Sequence, residues 1–416
     1  MTGSVAVLGA GIVGTCCALA LQRQGLSVLL IDRSEPGLGC SFGNAGMIQT
    51  GSVVPLAVPG ILKRVPRMLF DSEGPLVLNW TQLPRLLPWL RAFLQNANPG
   101  AVDRTATALS ALLMEAKGAY RKLSEGTDAL TLFRPRGELY VFASDTSYAA
   151  LTSRFAIYRQ HSVDYVEMSA SELKAFEPHL SERYKHGYYL PDSEYVVDPL
   201  LLTQSLVSAF TKAGGTLMRA DVTSLRRSPS GEVVLKLENG DVEADRLVIA
   251  AGSESGRLAH SLGTNMPVEP LRGYHVMMSD DRIKLSGPVI EGDMNIAALP
   301  MTSGIRIAGT LEFAGHRSSP RWGRADMLVP MAKRMLPEIS GGAIKRWYGY
   351  RPCMPDSLPV LGAAPGQSNV WYAFGHGQLG LTLAGISGQL IAEMVTGQVP
   401  STDIAPFQPN RFLAAA

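Results

Sequence analysis

The chain has 416 residues, of which 46% are hydrophobic and 18% are charged, and its formal net charge is +2. These proportions are those of an ordinary globular protein, and the length suits two domains. With so small a net charge, the protein has no overall positive potential that would attract nucleic acid. No apolar run reaches the length of a membrane span, and no signal-peptide pattern opens the chain. Four cysteines without metal-ligand spacing predict reduced thiols and no metal site, so we expect a cytoplasmic protein.

The first motif is a glycine-rich turn between a strand and a helix. Residues 5–8 are an apolar run, residues 12–24 are helix-like, and the turn between them reads Gly9-Ala10-Gly11-Ile12-Val13-Gly14. A second strand, residues 26–31, leads to Asp32 and Arg33. Such glycines let the backbone approach a pyrophosphate, and an acidic residue about twenty positions on accepts hydrogen bonds from a ribose. The pattern predicts a dinucleotide site; the alternative is a tightly packed strand–turn–helix.

Residues 41–100 are rich in glycine, proline and apolar side chains. Leucines recur at helical spacing over residues 83–94, beside Trp80 and Trp89, and Pro84 and Pro88 predict short or kinked helices. One interpretation is a helix packed on its neighbour. The other is a lid or a surface that contacts a membrane.

The rest of the chain alternates helical and strand patterns. Helices are predicted over residues 101–125, from residue 171, and from Asp198, the N-cap, to residue 213, with Pro199 in the first turn. Strands are predicted within residues 130–142 and at residues 216–219, 233–237, 246–251, 270–278, 305–313 and 370–374. A second GxGxxG turn, residues 375–380, precedes a last helix over residues 381–396.

These segments resemble the flavin-dependent D-amino-acid oxidase superfamily, and within it the bacterial D-amino-acid dehydrogenase branch. The resemblance rests on residues 9–14, Ser41-Phe42-Gly43-Asn44-Ala45-Gly46, Asp198-Pro199, residues 246–252, Pro270-Leu271-Arg272-Gly273-Tyr274, residues 309–312, Arg351-Pro352, Pro355-Asp356 and residues 375–383, in the family's order. One departure is Asp32, where the family more often has Glu.

The resemblance implies an α/β fold in two discontinuous domains. A Rossmann-like FAD-binding domain would take residues 1–50, 100–130, 195–265 and 345–416. A substrate-binding domain built on an antiparallel sheet would take residues 51–99, 131–194 and 266–344.

The implied cofactor is FAD. The residues expected to contact it are Gly9, Ala10, Gly11, Ile12, Val13, Gly14, Asp32, Arg33, Ser41, Asn44, Ala45, Gly46, Met47, Val222, Ala250, Ala251, Gly252, Gly375, Gly377, Gln378, Leu379, Gly380, Leu381 and Thr382. The last helix would direct N–H groups and positive potential at the electron-rich flavin ring. We expect FAD to be bound non-covalently, because Gly349 stands where related sarcosine oxidases have their linking cysteine.

An amino-acid substrate would need a clamp for its carboxylate, and arginine pairs both oxygens. Arg351 stands where the family's carboxylate-binding arginine falls, and Tyr274 and His376 are further candidate catalytic residues. Tyr274 could instead be a packed aromatic, and His376 could fill a polar niche. Arg272 and Arg306 are weaker candidates that we expect to be structural.

The resemblance implies oxidative deamination of D-amino acids to 2-oxo acids and ammonia, by hydride transfer from Cα to flavin N5. The electrons would pass to a quinone or another acceptor, with peripheral contact to the inner face of the bacterial cytoplasmic membrane. One alternative is a dehydrogenase of D-proline, cis-4-hydroxy-D-proline or sarcosine, as a subunit of a complex. Another is a non-catalytic FAD-binding subunit.

Overall fold

A computed structural model of the protein describes residues 4–62, 65, 74, 76–280 and 282–413. Its strands are β1 (Ser4–Leu8), β2 (Ser27–Asp32), β3 (Met47–Ile48), β4 (Leu76–Leu78), β5 (Phe133–Arg134), β6 (Glu138–Phe142), β7 (Val166–Ser169), β8 (His186–Leu190), β9 (Glu194–Val196), β10 (Thr216–Arg219), β11 (Val222–Arg227), β12 (Val233–Leu237), β13 (Gly240–Ala244), β14 (Arg246–Ile249), β15 (Glu269–Met278), β16 (Val289–Glu291), β17 (Ile296–Met301), β18 (Gly304–Phe313), β19 (Ala343–Cys353), β20 (Val360–Ala363) and β21 (Val370–Phe374).

The helices lie between these strands. They are α1 (Ile12–Arg23), α2 (Leu83–Gln95), α3 (Pro99–Ser124), α4 (Asp145–Ala149), α5 (Thr152–Gln160), α6 (Ala170–Phe176), α7 (Pro199–Lys212), α8 (Ser255–Ser261), α9 (Gly323–Asp326), α10 (Leu328–Met335) and α11 (Gly380–Val395). Short 3-10 turns occupy Trp80–Gln82, Asp128–Leu132, Gly252–Glu254, Ala405–Phe407 and Pro409–Phe412. No helix among the described residues is both long and apolar enough to cross a membrane.

One sheet runs in the order β10-β2-β1-β14-β21-β20. Its first five strands are parallel, and β20 is antiparallel to β21. On one side of β1 lies β2, which follows it in the sequence through α1, and on the other side lies β14, which comes from a much later segment. The order of the strands therefore changes direction at β1. In such sheets this switch point is where ligands bind.

A second sheet runs in the order β19-β15-β18-β17-β16-β6-β8-β7, with β4 beside β18. Its pairs are antiparallel except β16 with β6 and β18 with β4. The predicted α/β fold with a second, mainly antiparallel sheet is therefore confirmed. Strand β19 belongs wholly to the second sheet, although our predicted boundary divided it at residue 345. The division into two domains stays a prediction.

Most predicted elements lie within one or two residues of their observed bounds. Asp198 caps α7, since its Oδ1 accepts a hydrogen bond from the Leu201 N–H at 3.0 Å. Helix α2 continues through Pro88 for 13 residues. One difference lies at residues 130–132, which form a 3-10 turn rather than a strand. The hydroxyl of Thr127 accepts a hydrogen bond from the Ala129 N–H at 3.2 Å and starts this turn.

The core beneath the parallel sheet depends on two apolar helices in close contact, α1 and α11. Cys16 and Cys17 in α1 are fully buried, as are Leu383 and Leu390 in α11. A Cβ added at Gly388 would lie 2.6 Å from the Cys16 carbonyl oxygen, so glycine at this position lets the two backbones approach.

We expect Gly388→Ala to lower the free energy of unfolding by about 3 kcal/mol, because the added methyl group must force the two helix backbones apart. Urea denaturation monitored by circular dichroism would measure the change. Gly118→Ala is the matched control, since its Cβ would meet no atom within 4 Å and alanine favours the exposed face of α3. Equal stability of Gly388→Ala and the wild type would contradict this account of the helix contact.

Candidate functional site

A cleft of about 410 Å³ opens at the carboxyl ends of β1, β2 and β14. It continues to β19 and to the start of α11. The predicted residues that line it are Gly9, Gly11, Ile12, Val13, Asp32, Arg33, Ser41, Asn44, Val222, Ala250, Ala251, Gly252, His376, Gly377, Gly380 and Leu381. Both glycine turns therefore face one cavity.

The first glycine turn is shaped by contacts that leave no room for side chains. Gly9 has φ +104°, and a Cβ there would collide with the Ala250 carbonyl group. A Cβ at Gly14 would collide with the Gly9 carbonyl oxygen. Ala10 and Gly14 thus stay behind the cleft wall and shape the turn rather than line the cavity. The result is exposed backbone at the N-terminus of α1, where a pyrophosphate fits.

Asp32 stands at the carboxyl end of β2. Its Oδ2 accepts a hydrogen bond from the Ala10 N–H at 2.7 Å, and its Oδ1 accepts one from the Ser34 N–H at 2.8 Å. Each carboxylate oxygen has lone-pair capacity for a second donor. The residue therefore closes the glycine turn and can also accept hydrogen bonds from a ribose.

The loop of residues 41–46 joins the two sheets across the cleft. Ser41 Oγ accepts a hydrogen bond from the Ile12 N–H at 2.9 Å, which fastens the loop to α1. The guanidinium of Arg306, on β18, donates to the carbonyl oxygen of Asn44. Gly46 has φ +78°, and its carbonyl accepts a hydrogen bond from the Val196 N–H at 2.6 Å. Gly46, and Ala45 and Met47 beside it, are not among the cleft-lining residues.

The second glycine turn presents the N-terminus of α11 to the cleft. Gly375 and Gly377 have φ +80° and +55°, and α11 begins at Gly380, one residue before the predicted start. No side chain within the described part of the chain caps this end of the helix. The first N–H groups of a helix have no intrahelical partner, so this end carries positive potential.

The neighbouring predicted residues support this helix end from outside the cavity. Thr382 Oγ1 donates to the Met47 carbonyl at 3.2 Å and accepts from the Gln49 N–H at 3.1 Å. The Leu379 N–H donates to the His376 carbonyl at 2.9 Å. Gly375, Gln378, Leu379 and Thr382 are not among the cleft-lining residues.

Arg351 lies on β19, with its guanidinium directly over Gly273 of β15. A side chain at Gly273 would collide with this guanidinium, so glycine here makes the arginine's position possible. The Nη1 atom of Arg351 is buried and has no hydrogen-bond partner among the described residues. A buried donor without a partner is costly, and a bound carboxylate would satisfy it.

Tyr274 lies on the face of β15 opposite to Arg351, because side chains alternate along a strand. Its hydroxyl donates to Glu312 Oε2 at 2.6 Å and accepts from the Arg321 N–H at 2.9 Å. Burial and the Glu312 carboxylate raise the pKa of this hydroxyl. This placement contradicts the predicted substrate contact and matches the alternative of a packed aromatic.

His376 lines the cleft, yet its ring is turned into the interior. It is 4% exposed, and its Nε2 lies 2.9 Å from Ser387 Oγ. Burial lowers the pKa of the imidazole to about 3, so the ring is neutral. The polar-niche interpretation fits this environment better than a catalytic role.

The other predicted arginine and tyrosine roles can also be compared with the structure. Arg272 is completely buried and pairs with Glu312 at 3.0 Å, which makes it structural, as predicted. Tyr348 and Tyr350 lie opposite to Gly349 and Arg351, as strand alternation predicts.

Three cleft residues were missed by the sequence analysis. Arg257 donates to the carbonyl oxygens of Val222 at 3.2 Å and Thr223 at 2.6 Å, and so contacts the backbone of Val222, one of the residues expected to contact FAD. His316 lies 3.5 Å from Glu254 at the same end of the cleft. Glu254 and Arg257 are close in the sequence and form an ion pair at 3.1 Å, whereas no local sequence pattern connects them with His316.

These residues fit FAD. A backbone cradle, an acidic residue at the ribose position and a second helix N-terminus face one cavity, which is the set of contacts that a dinucleotide with an electron-rich ring requires. The Cys353 thiol has its pKa raised to about 12 by burial, so it is a poor nucleophile for a covalent link. Among the described residues, no group of His, Cys, Asp and Glu side chains could hold a metal ion.

Comparisons with known proteins agree with this geometry. The D-amino-acid oxidase of Bradyrhizobium diazoefficiens is 36% identical, over 98% of this chain and 99% of that protein. A D-amino acid dehydrogenase of Vibrio vulnificus is 30% identical, over 94% and 95%. The crystal structure of glycine oxidase from Geobacillus kaustophilus superposes with a TM-score of 0.77 at 22% identity, over 99% of both chains.

The family model described as FAD dependent oxidoreductase (DAO) matches residues 4–394, which is nearly the whole chain. This match agrees with FAD, the cofactor that the resemblance implied. The chain is an FAD-dependent oxidoreductase and belongs to the DAO family.

Proposed function

We propose that this protein oxidises D-amino acids to 2-oxo acids and ammonia, with Arg351 as the clamp for the substrate carboxylate. The observation that carries the proposal is the buried, unpartnered Nη1 of Arg351 over Gly273, among the residues that the structure describes. Pro352, the next residue, lines the cleft. A planar guanidinium can pair both oxygens of a carboxylate and so fixes orientation as well as position.

When bound, FAD supplies a hydride acceptor for the Cα–H of the substrate. The protein's own residues hold the reactants. Arg351 binds the carboxylate and so holds the Cα–H bond in the orientation that hydride transfer requires. The first N–H groups of α11 stabilise negative charge that develops at the cleft during the reaction. Neither role requires a metal or a nucleophilic side chain.

Oxidation of a cyclic or secondary amino acid is the second candidate. The glycine oxidase of similar fold acts, by its name, on an amino acid without a side chain, so the fold alone leaves the side-chain preference open. A substrate panel separates the two candidates.

We further propose that electrons pass to a quinone and that α2 brings the protein to the membrane surface. Helix α2 buries Leu86 and Trp89 against the protein but exposes 56% of Leu87 and 37% of Leu94. Trp80, just before α2, is 62% exposed. Exposed leucine and tryptophan beside arginine are typical of surfaces that contact an anionic bilayer.

We expect the purified protein to be yellow and its flavin absorbance to bleach anaerobically with D-amino acids but not with their L-enantiomers. A panel that includes D-proline, cis-4-hydroxy-D-proline, glycine and sarcosine would identify the preferred class, with a dye as the electron acceptor. Failure of every D-amino acid to reduce the bound flavin would contradict the proposal and favour a non-catalytic flavoprotein.

We expect Arg351→Ala to retain its flavin while kcat/KM for carboxylate substrates falls by about 100-fold or more, because two charge-assisted hydrogen bonds are lost. Flavin content and steady-state kinetics would be measured together. Arg346→Ala is the matched control, since Arg346 lies on the same strand but pairs with Asp326 at the surface. Normal kinetics in Arg351→Ala would show that the clamp is another residue.

We expect the wild-type protein to float with vesicles that contain phosphatidylglycerol and not with pure phosphatidylcholine, and Leu87→Glu to abolish flotation because it places a charge in the apolar contact. Met114→Glu is the control, since Met114 is 75% exposed on α3, away from this surface. Loss of a dimer in Leu87→Glu, with no wild-type vesicle binding, would instead assign the surface to a second copy of the chain.

A further inference from the structure

His275 lies on the same face of β15 as Gly273, over which the Arg351 guanidinium rests. The imidazole is 1% exposed and stacks on the ring of Trp347, with 4.9 Å between the ring centroids. The loop of residues 41–46 contacts this ring, since the carbonyl oxygen of Gly43 lies 3.3 Å from Nδ1. A buried histidine beside the proposed clamp has no role in the reaction as described so far.

The contact with Gly43 determines which nitrogen of His275 carries the proton. A carbonyl oxygen only accepts hydrogen bonds, so Nδ1 is the donor and carries its hydrogen. In a neutral imidazole the other nitrogen, Nε2, is then an acceptor with a free lone pair. This Nε2 is buried and has no partner in the part of the chain that the structure describes.

The surroundings keep the ring neutral. Burial lowers the pKa of His275 to about 3, and the positive charges of Arg306, Lys345 and Arg351 act in the same direction. The hydrogen bond to the Gly43 carbonyl raises the pKa, with a smaller effect than burial or Arg306. The neutral ring keeps the lone pair on Nε2 available as a hydrogen-bond acceptor.

Two complementary polar atoms without partners thus belong to side chains on the same face of the paired strands β15 and β19. Arg351 Nη1 is a donor that needs an acceptor, and His275 Nε2 is an acceptor that needs a donor. An α-amino acid carries both partners on one carbon atom, since its carboxylate accepts and its amine donates. We propose that His275 Nε2 accepts a hydrogen bond from the substrate amine while Arg351 binds the carboxylate.

This inference rests on the proposed function and assigns the second half of the substrate contact. With the carboxylate and the amine both held, only two substituents of Cα stay free, the hydrogen and the side chain. One enantiomer then directs its hydrogen into the cleft and the other directs its side chain there. His275 is therefore a determinant of the enantiomer that reacts, together with Arg351.

The test measures binding without turnover. The ligand 2-aminoisobutyrate has the carboxylate and the amine but no Cα–H, so it cannot be oxidised, and isobutyrate lacks the amine. Their affinities for the flavin-loaded protein follow from the change in flavin absorbance on titration. Two variants separate the nitrogens of His275: the amide of His275→Asn can replace Nδ1–H towards Gly43, and the amide oxygen of His275→Gln can replace the Nε2 acceptor.

We expect His275→Asn to reduce the affinity ratio of 2-aminoisobutyrate to isobutyrate about tenfold, the effect of one lost hydrogen bond to a buried group. Isobutyrate affinity should not change, and His275→Gln should keep most of the wild-type ratio. An unchanged ratio in His275→Asn overturns the inference. Equal loss of both ligands in both variants also overturns it, because the histidine would then only support the loop.

A different result would refute the proposed function itself. A wild-type protein whose flavin is not reduced by any D-amino acid would refute the activity. The affinity ratio would still report whether His275 contacts an amine, because neither ligand needs to react.

Discussion

The adjacency of three parallel strands, β1, β14 and β21, is the constraint on which the rest of the structure depends. Each of the outer two strands is followed by a helix, α1 after β1 and α11 after β21. Because the strands are parallel neighbours in one sheet, both helices begin at the same edge and direct their N-termini into one cleft. The two glycine turns, which stand more than 360 residues apart in the chain, become two walls of a single cleft, the candidate FAD site. Close packing of α1 on α11 at Gly388 keeps the two helix ends together.

Side chains alternate between the two faces of the paired strands β15 and β19, so the two faces carry polar groups with different surroundings. On one face, His275 and Arg351 have buried polar atoms without partners among the described residues, and Pro352, next to Arg351, lines the cleft. On the other face, Arg272 and Tyr274 both donate hydrogen bonds to Glu312. A single pair of strands therefore supplies a rigid internal ion pair and, behind it, side chains that are free to bind a ligand. Rigid support of this kind is what a precisely oriented substrate needs.

The loop of residues 41–46 couples the two sheets. It is fastened to the cofactor side by Ser41 and to the second sheet by Arg306, whose guanidinium binds the Asn44 carbonyl. Positive charges lie close to this loop, with Lys345 4.8 Å from the centre of the Phe42 ring. The loop that borders the cleft is therefore in direct contact with both α1 and the second sheet.

The sequence by itself determined the elements whose signal is local: the glycine turn at residues 9–14, the cap at Asp198, the buried strand before residue 375, and the family motifs that name the cofactor. Only the tertiary structure decided which polar side chains face the cleft. Tyr274 and Arg351 both looked suitable for a carboxylate, and strand pairing placed them on opposite faces. His275, Arg257 and His316 carry no local signal, because their neighbours come from residues distant in the chain. Burial, the lack of a hydrogen-bond partner and pKa shifts depend on which residues surround a side chain in the folded protein, so the sequence alone could not predict them.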